Sequence, residues 1–289
     1  MMKYFSQTKE PNTLLILFGI SFVLFGWFVF LLTLTNLFFL PLVGFGASIT
    51  LVFSLFFGVR LFLYTSLDCK FIIIISFLAT LLIGFITVPT LFSGRDQGSI
   101  SEAAFRLAQN GHLTFSTPAS DAFYKIYGVG TALNFPGFAY TKTGELITQF
   151  PLGYTSWLAG FVSLFGSYGF VIGNGILFFL FLLILYSLLR IFAHPFYALF
   201  GIALTLFSFL PTWFAKVTLS ENLALFLFVF LVYNLILFLQ ENKTVSYVAI
   251  LLSSGLLAFT RIEGLAFLLL ACIVLFGNKP TRQFWKTYP

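Results

Sequence analysis

The chain has 289 residues, 60% of them hydrophobic and only 8% charged, with 43 Phe and a mean hydropathy of +1.03. A soluble domain carries about 25% charged residues, so the composition excludes a water-soluble protein and points to a polytopic membrane protein whose apolar surface is taken up by lipid. The net charge of +6 is read as orientation in the bilayer and contact with anionic lipid headgroups, with no nucleic-acid partner implied.

In chain order, residues 1–12 do not read as a secretory signal, because the apolar run behind them is far longer than a signal's hydrophobic core. A crossing needs about 20 apolar residues. Residues 13–33, 41–63 and 71–92 supply three, and 170–189, 195–214 and 222–240 supply three more. The last apolar region, 245–276, is interrupted by Arg261-Ile262-Glu263-Gly264. As one helix it would run roughly 48 Å, too long for a roughly 30 Å core, so it is expected to form two short spans around a charged elbow. The fold class expected is therefore all-α, with about eight transmembrane helices. Cys69 and Cys272 lie in or beside apolar runs, which suggests neither a disulfide nor a thiolate metal site.

Charge bias sets an expected orientation. With both termini inside, the short inner segments collect Lys3, Lys9, Arg60, Lys70, Arg190, Lys243, Lys279, Arg282 and Lys286, and the short outer turns only Lys216 and Arg261. Residues 93–168 then form a long extracytoplasmic insertion. Asp96, Glu102, Asp121, Glu145, Glu221 and Glu263 fall on the outer side, against Glu10, Asp68 and Glu241 inside. A carboxylate near hydrocarbon is costly unless it faces a cavity or a partner, so this clustering marks the outer face as the place to look for a site.

Within the insertion, Ser99-Ile100-Ser101-Glu102 reads as a capping box. Ile100, Ala103, Ala104 and Leu107 share one stripe, and Gly111 supplies the stop. The expectation is a short amphipathic helix in the outer headgroup layer, with Asp96 at the positive end of its dipole. Residues 114–140, rich in Gly, Pro, Ser and aromatics, read as loop. Gly128-Val129-Gly130 lacks the context of a phosphate-binding loop. Residues 151–165 are apolar but short, and read as a re-entrant or interfacial helix. His112 and His194 are too far apart in this topology to share a metal.

The order of these pieces resembles the GT-C superfamily of polyprenyl-phosphate-sugar-dependent glycosyltransferases, nearest to its protein O-mannosyltransferase and lipid A aminoarabinose transferase branch. Gly94-Arg95-Asp96-Gln97 followed by Glu102-Ala103-Ala104 resembles the family's first acidic motif and juxtamembrane helix. Gln149-Phe150-Pro151-Leu152-Gly153-Tyr154 resembles its Phe-Pro-Pro-Gly-Tyr signature, and Leu219-Ser220-Glu221-Asn222 its second acidic motif. The stretch 257–264 resembles Leu-Thr-Arg-Pro-Glu-Gly. The likeness covers roughly residues 71–276, leaving 1–70 as two additional N-terminal helices and 71–289 as a GT-C-like module shorter than a typical member. Gln97, Leu152, Asn222 and Ile262 depart from the family pattern.

The resemblance implies inverting transfer of a sugar from a polyprenyl-phosphate-linked donor to a protein, lipid or glycan acceptor outside the membrane. Asp96 would be the catalytic base, with Glu221 the second acidic residue of the site. Arg261, or secondarily Arg95, would stabilise the leaving phosphate, and Gln149, Tyr154 and Glu221 would hold the sugar. Glu263 joins the substrate-binding set, and a divalent ion held by Asp96 and Glu221, as in some relatives, is open. Against each role stands a structural one: Asp96 paired with Arg95, Glu221 starting a helix behind Ser220, Arg261 pairing with Glu263 as an elbow, Tyr154 and Gln149 as interface anchors. A non-enzymatic membrane protein retaining the fold (transporter subunit, scaffold or inactive partner) is the rival reading.

Overall fold

A computed structural model describes residues 9–88, 95–129 and 137–277. It is nearly all-α. The elements are α1 (Lys9–Leu34), α2 (Leu40–Tyr64), α3 (Leu67–Phe85), α4 (Asp96–Asn110), α5 (Pro118–Tyr127), β1 (Phe138–Tyr140), β2 (Leu146–Thr148), α6 (Leu152–Phe165), α7 (Gly169–Phe192), α8 (Pro195–Phe207), α9 (Phe209–Lys216), α10 (Glu221–Glu241), α11 (Thr244–Ala258) and α12 (Gly264–Gly277).

Five segments are long and apolar enough to cross a membrane: Asn12–Leu34, Leu40–Tyr64, Leu67–Phe85, Leu152–Phe192 and Glu221–Glu241. The pair α8 and α9 makes a sixth if it counts as one span, although it bends by 58°. Pro211 explains that bend. It has no N–H for the carbonyl of Phe207, and its ring would clash with that carbonyl in a continuous helix. At 15 and 14 residues, α11 and α12 reach only about 22 Å each, short of a crossing. Large side chains exposed along the helices, among them Val52, Leu82 and Phe207, form a lipid-facing surface far beyond what a soluble monomer exposes. The chain is an integral membrane protein.

The turns alternate between two ends of the bundle. At one end, Lys243 Nζ lies 3.4 Å from Thr13 Oγ1, joining the start of α1 to the α10–α11 turn. There too Asp68 Oδ2 accepts from Tyr186 Oη at 2.6 Å and from Arg190 Nε at 3.1 Å, tying the start of α3 to the end of α7. The opposite end carries the α1–α2 turn, the insertion and residues 217–221 and 259–263. Gly111, in the left-handed region at φ 76°, lies against the carbonyl of Phe38 in the α1–α2 turn.

Between these ends α6 is buried from Gly153 to Val162. It packs along the first turns of α7: the Tyr154 hydroxyl reaches Asn174 at 2.7 Å, and Trp157 Nε1 donates to the carbonyl of Gly173 at 3.3 Å. A Cβ on Gly169 would strike the backbone of Phe161, so glycine is what lets the two helices approach. The segment is thus a buried helix whose residues 154–161 pack against the first turns of α7. Trp157 centres the core, edge-on to Phe25 of α1 at 5.7 Å between ring centroids.

The insertion differs from its sequence reading in three ways. The capping box at Ser99 and Glu102 does not form, because α4 begins a turn earlier. Ser99 lies inside the helix, with its amide donating to the Arg95 carbonyl at 3.1 Å, and Glu102 pairs with Arg106 at 3.6 Å, an i,i+4 pair. Residues 114–140 are not simply loop, since they hold α5 and β1. A capping box does start α5: Ser120 donates its amide to Thr117 Oγ1 at 3.1 Å and accepts the Thr117 amide on its own hydroxyl at 2.8 Å. Ser at the fourth box position hid it, because Glu or Gln is the usual signal. Third, β1 and β2 form a short antiparallel hairpin, Phe138 opposite Thr148. Ile100, Ala103, Ala104 and Leu107 are all buried, as the stripe predicts. Gly94, Gly130 and the end of the third expected span (89–92) lie outside the described residues, as do Lys3, Lys279, Arg282 and Lys286.

Candidate active site

The four stretches singled out in the sequence meet at the insertion end of the bundle. Thr218 donates its hydroxyl to the carbonyl of Gln97 at 2.7 Å, joining the start of α4 to the approach to α10. The amide of Gly153 donates to the carbonyl of Phe259 at 2.8 Å, joining the start of α6 to the α11–α12 turn. Arg261 Nη1 sits 2.6 Å from Glu221 Oε1, closing the ring between that turn and α10. Beneath them Asn222 Nδ2 donates to the Tyr154 hydroxyl at 3.3 Å and to the Val217 carbonyl at 2.8 Å. Asn174 Nδ2 donates to the same carbonyl at 2.9 Å.

Gly153 is the point where α6 meets the α11–α12 turn. A Cβ there would lie 2.7 Å from Thr260 Oγ1 and 2.9 Å from the Phe259 carbonyl oxygen, so only glycine lets the turn close on α6.

The candidate residues fall into two groups. Arg95, Asp96 and Gln149 are exposed. Arg95 precedes α4 and Asp96 is its first residue, where the helix dipole favours an anion; the alternative, an ion pair between the two, does not form among the described residues. The second group is engaged. Arg261 grips Glu263 with two nitrogens, Nε at 3.2 Å and Nη2 at 3.1 Å, while Nη1 faces Glu221 and Ser220. The pair bond to Glu263 raises the guanidinium's already high pKa and, reciprocally, holds the Glu263 carboxyl below its usual range. Most donors of Arg261 are therefore used inside the protein. Ser220 precedes α10 without capping it; its hydroxyl faces Arg261 instead.

Tyr154 is 1% exposed, and both asparagine bonds point its hydroxyl inward. It holds α6, α7 and α10 together beneath the surface, which fits neither an interface anchor nor a direct sugar contact. Glu102, partly buried, has its carboxyl pushed up by burial and pulled back by Arg106.

One Glu221 oxygen faces the Arg261 guanidinium at 2.6 Å, so a divalent ion bridging Asp96 and Glu221 would share that carboxylate with a cation.

Sequence reasoning passed over Thr218 and Asn174. Asn174, a lone amide in an otherwise apolar helix, was the available signal, since such a group in a membrane needs partners. Thr218 offered none, because its partner is a backbone carbonyl 121 residues away.

No family model, no curated protein and no solved structure matches this chain.

Proposed function

We propose that the chain is a membrane glycosyltransferase of the GT-C kind, moving a sugar from a polyprenyl-phosphate donor to an acceptor at the extracytoplasmic surface. The reading includes an insertion on the outer side, termini inside, and eight membrane-inserted helical segments. The observation that carries it is the meeting of four stretches, separated by up to about 160 residues of sequence, at one end of the bundle.

In this reading the acceptor hydroxyl attacks the anomeric carbon as the bond from that carbon to the phosphate oxygen breaks, inverting the centre. The hydroxyl proton passes to the Asp96 carboxylate and the electron pair leaves with the polyprenyl phosphate. Arg95, exposed and adjacent to Asp96, is better placed for that phosphate than Arg261, which would first have to release the exposed Glu263. Gln149, also exposed, offers an amide to the sugar. Glu221 acts through Arg261, fixing the turn that seats Gly153.

One observation favours the non-enzymatic alternative: Glu221, Arg261 and Glu263 satisfy one another as a brace between α10 and α12 would. Purified protein in lipid nanodiscs, offered a panel of polyprenyl-phosphate sugars, separates the two. We expect donor turnover that falls about a hundredfold or more in Asp96→Asn and is unchanged in Glu145→Gln. Full activity of Asp96→Asn removes the proposed base, and a wild-type protein inert toward the whole panel favours the brace.

A further inference from the structure

The proposed base stands on the first turn of α4, and that turn has little of its own to hold it. Asp96 is the first helical residue, and among the described residues Arg95 before it makes no side-chain cap. Arg95 and Asp96 are exposed, Gln97 is half-buried and Gly98 is buried, so the boundary between surface and core falls within one turn. The end of a helix frays unless something outside it fastens the turn. Here the fastening is Thr218, buried at 4% exposure, whose hydroxyl donates to the Gln97 carbonyl at 2.7 Å. The other end of that bond is fixed. The Val217 carbonyl, one residue before Thr218, accepts Asn174 Nδ2 from α7 at 2.9 Å and Asn222 Nδ2 from α10 at 2.8 Å. Both asparagines are buried, and the Tyr154 hydroxyl of α6 donates to Asn174 Oδ1 and accepts from Asn222 Nδ2. Thr218 therefore stands on a post that three helices hold, and the turn it grips reaches out to the surface.

We infer that Thr218 is a positioning residue for the proposed transfer: by pinning the peptide next to Asp96, it sets where that carboxylate meets the acceptor hydroxyl. The inference rests on the reading of Asp96 as the base. A reacting group misplaced by about 1 Å can cost about a hundredfold in rate, so a pin one residue away acts on the chemistry without touching substrate. The Gln97 carbonyl also accepts the Ser101 hydroxyl at 2.8 Å, and it keeps that partner when Thr218 lets go. Removing the Thr218 hydroxyl thus cuts the link from α4 to the core and leaves no orphaned carbonyl behind.

The experiment uses the full chain in lipid nanodiscs, with the panel of polyprenyl-phosphate sugars as donors and hydrogen exchange read on the same samples. Thr218→Val keeps the shape and loses the hydroxyl, Thr218→Ala loses it without crowding, and Thr218→Ser keeps it. The Val and Ala variants should turn over donor about tenfold to a hundredfold more slowly, with Thr218→Ser close to wild type. The amides of Gly98 and Ser99, bonded to the Arg95 carbonyl, should exchange several-fold faster in the two slow variants, with exchange in α5 and α11 unchanged. Combined with Asp96→Asn, Thr218→Val should add little, because the pin has no base left to place. The same fold loss in both backgrounds would make Thr218 a structural brace and overturn the inference. Thr218→Ser as slow as Thr218→Val would overturn it too. A wild type inert toward the whole panel removes the proposed function and this inference together, whereas an active wild type with Thr218→Val at full rate removes this inference alone.

Discussion

Gly153→Ala is the sharpest probe of the arrangement described above. The new methyl would sit 2.7 Å from Thr260 Oγ1, 2.9 Å from the Phe259 carbonyl oxygen and 3.1 Å from its carbon, where ordinary contacts need about 3.5–4.0 Å. Two of those three atoms are backbone, so no side-chain rotation relieves the clash. The α11–α12 turn would have to retreat by something near 1 Å, stretching the 2.8 Å bond from the Gly153 amide past useful length. Overpacking costs about 1–3 kcal/mol and the lost hydrogen bond about 1 kcal/mol, while alanine's better helix propensity returns up to about 1 kcal/mol. The net expectation is about 1–3 kcal/mol of destabilisation. Gly44→Ala is the matched control: it lies in α2 with nothing within 4 Å of the new methyl, so it should be neutral or stabilising by up to about 1 kcal/mol. Reversible unfolding in mixed micelles, titrated with dodecyl sulfate, measures both. If the two variants unfold within about 0.5 kcal/mol of each other, the close seating of α6 on the turn is wrong, and the meeting of the four stretches fails with it.

The far end of the bundle offers a second test. Asp68→Asn should cost about 2–4 kcal/mol because it leaves Arg190, 17% exposed on its side chain, without its counter-ion, whereas Asp68→Leu combined with Arg190→Leu should recover most of that loss; a double variant as weak as the single one would show that the charges matter for more than each other. The pH dependence of stability reports on the Arg261 turn. Glu263 has its folded pKa below the ordinary 4.5, so its contribution is present above that value and is lost as pH falls through the lowered folded one. Arg261→Gln should move Glu263 back toward its ordinary range and flatten the stability slope on the acid side of that range, and an unchanged slope would mean the pair does not form.

What the linear chain settled by itself is what depends on composition and short spacing. Its apolar excess makes it a membrane protein because hydrocarbon tolerates little else, and the buried stripe Ile100, Ala103, Ala104, Leu107 and the stop at Gly111 follow from one helix's periodicity and one backbone conformation. The separation of Asp68, Arg190 and Lys243 from Asp96, Glu221 and Arg261 was also legible, because the long apolar runs between them carry the chain to the other end. Tertiary packing alone decided the rest. Whether Tyr154 faces a substrate or lies under the surface depends on Asn174 and Asn222 reaching it from two other helices. Whether Arg261 is open or gripped depends on where α10 begins relative to the α11–α12 turn. These are contacts between groups far apart along the chain, chosen by how helices seat on one another, and no local pattern of residues encodes them.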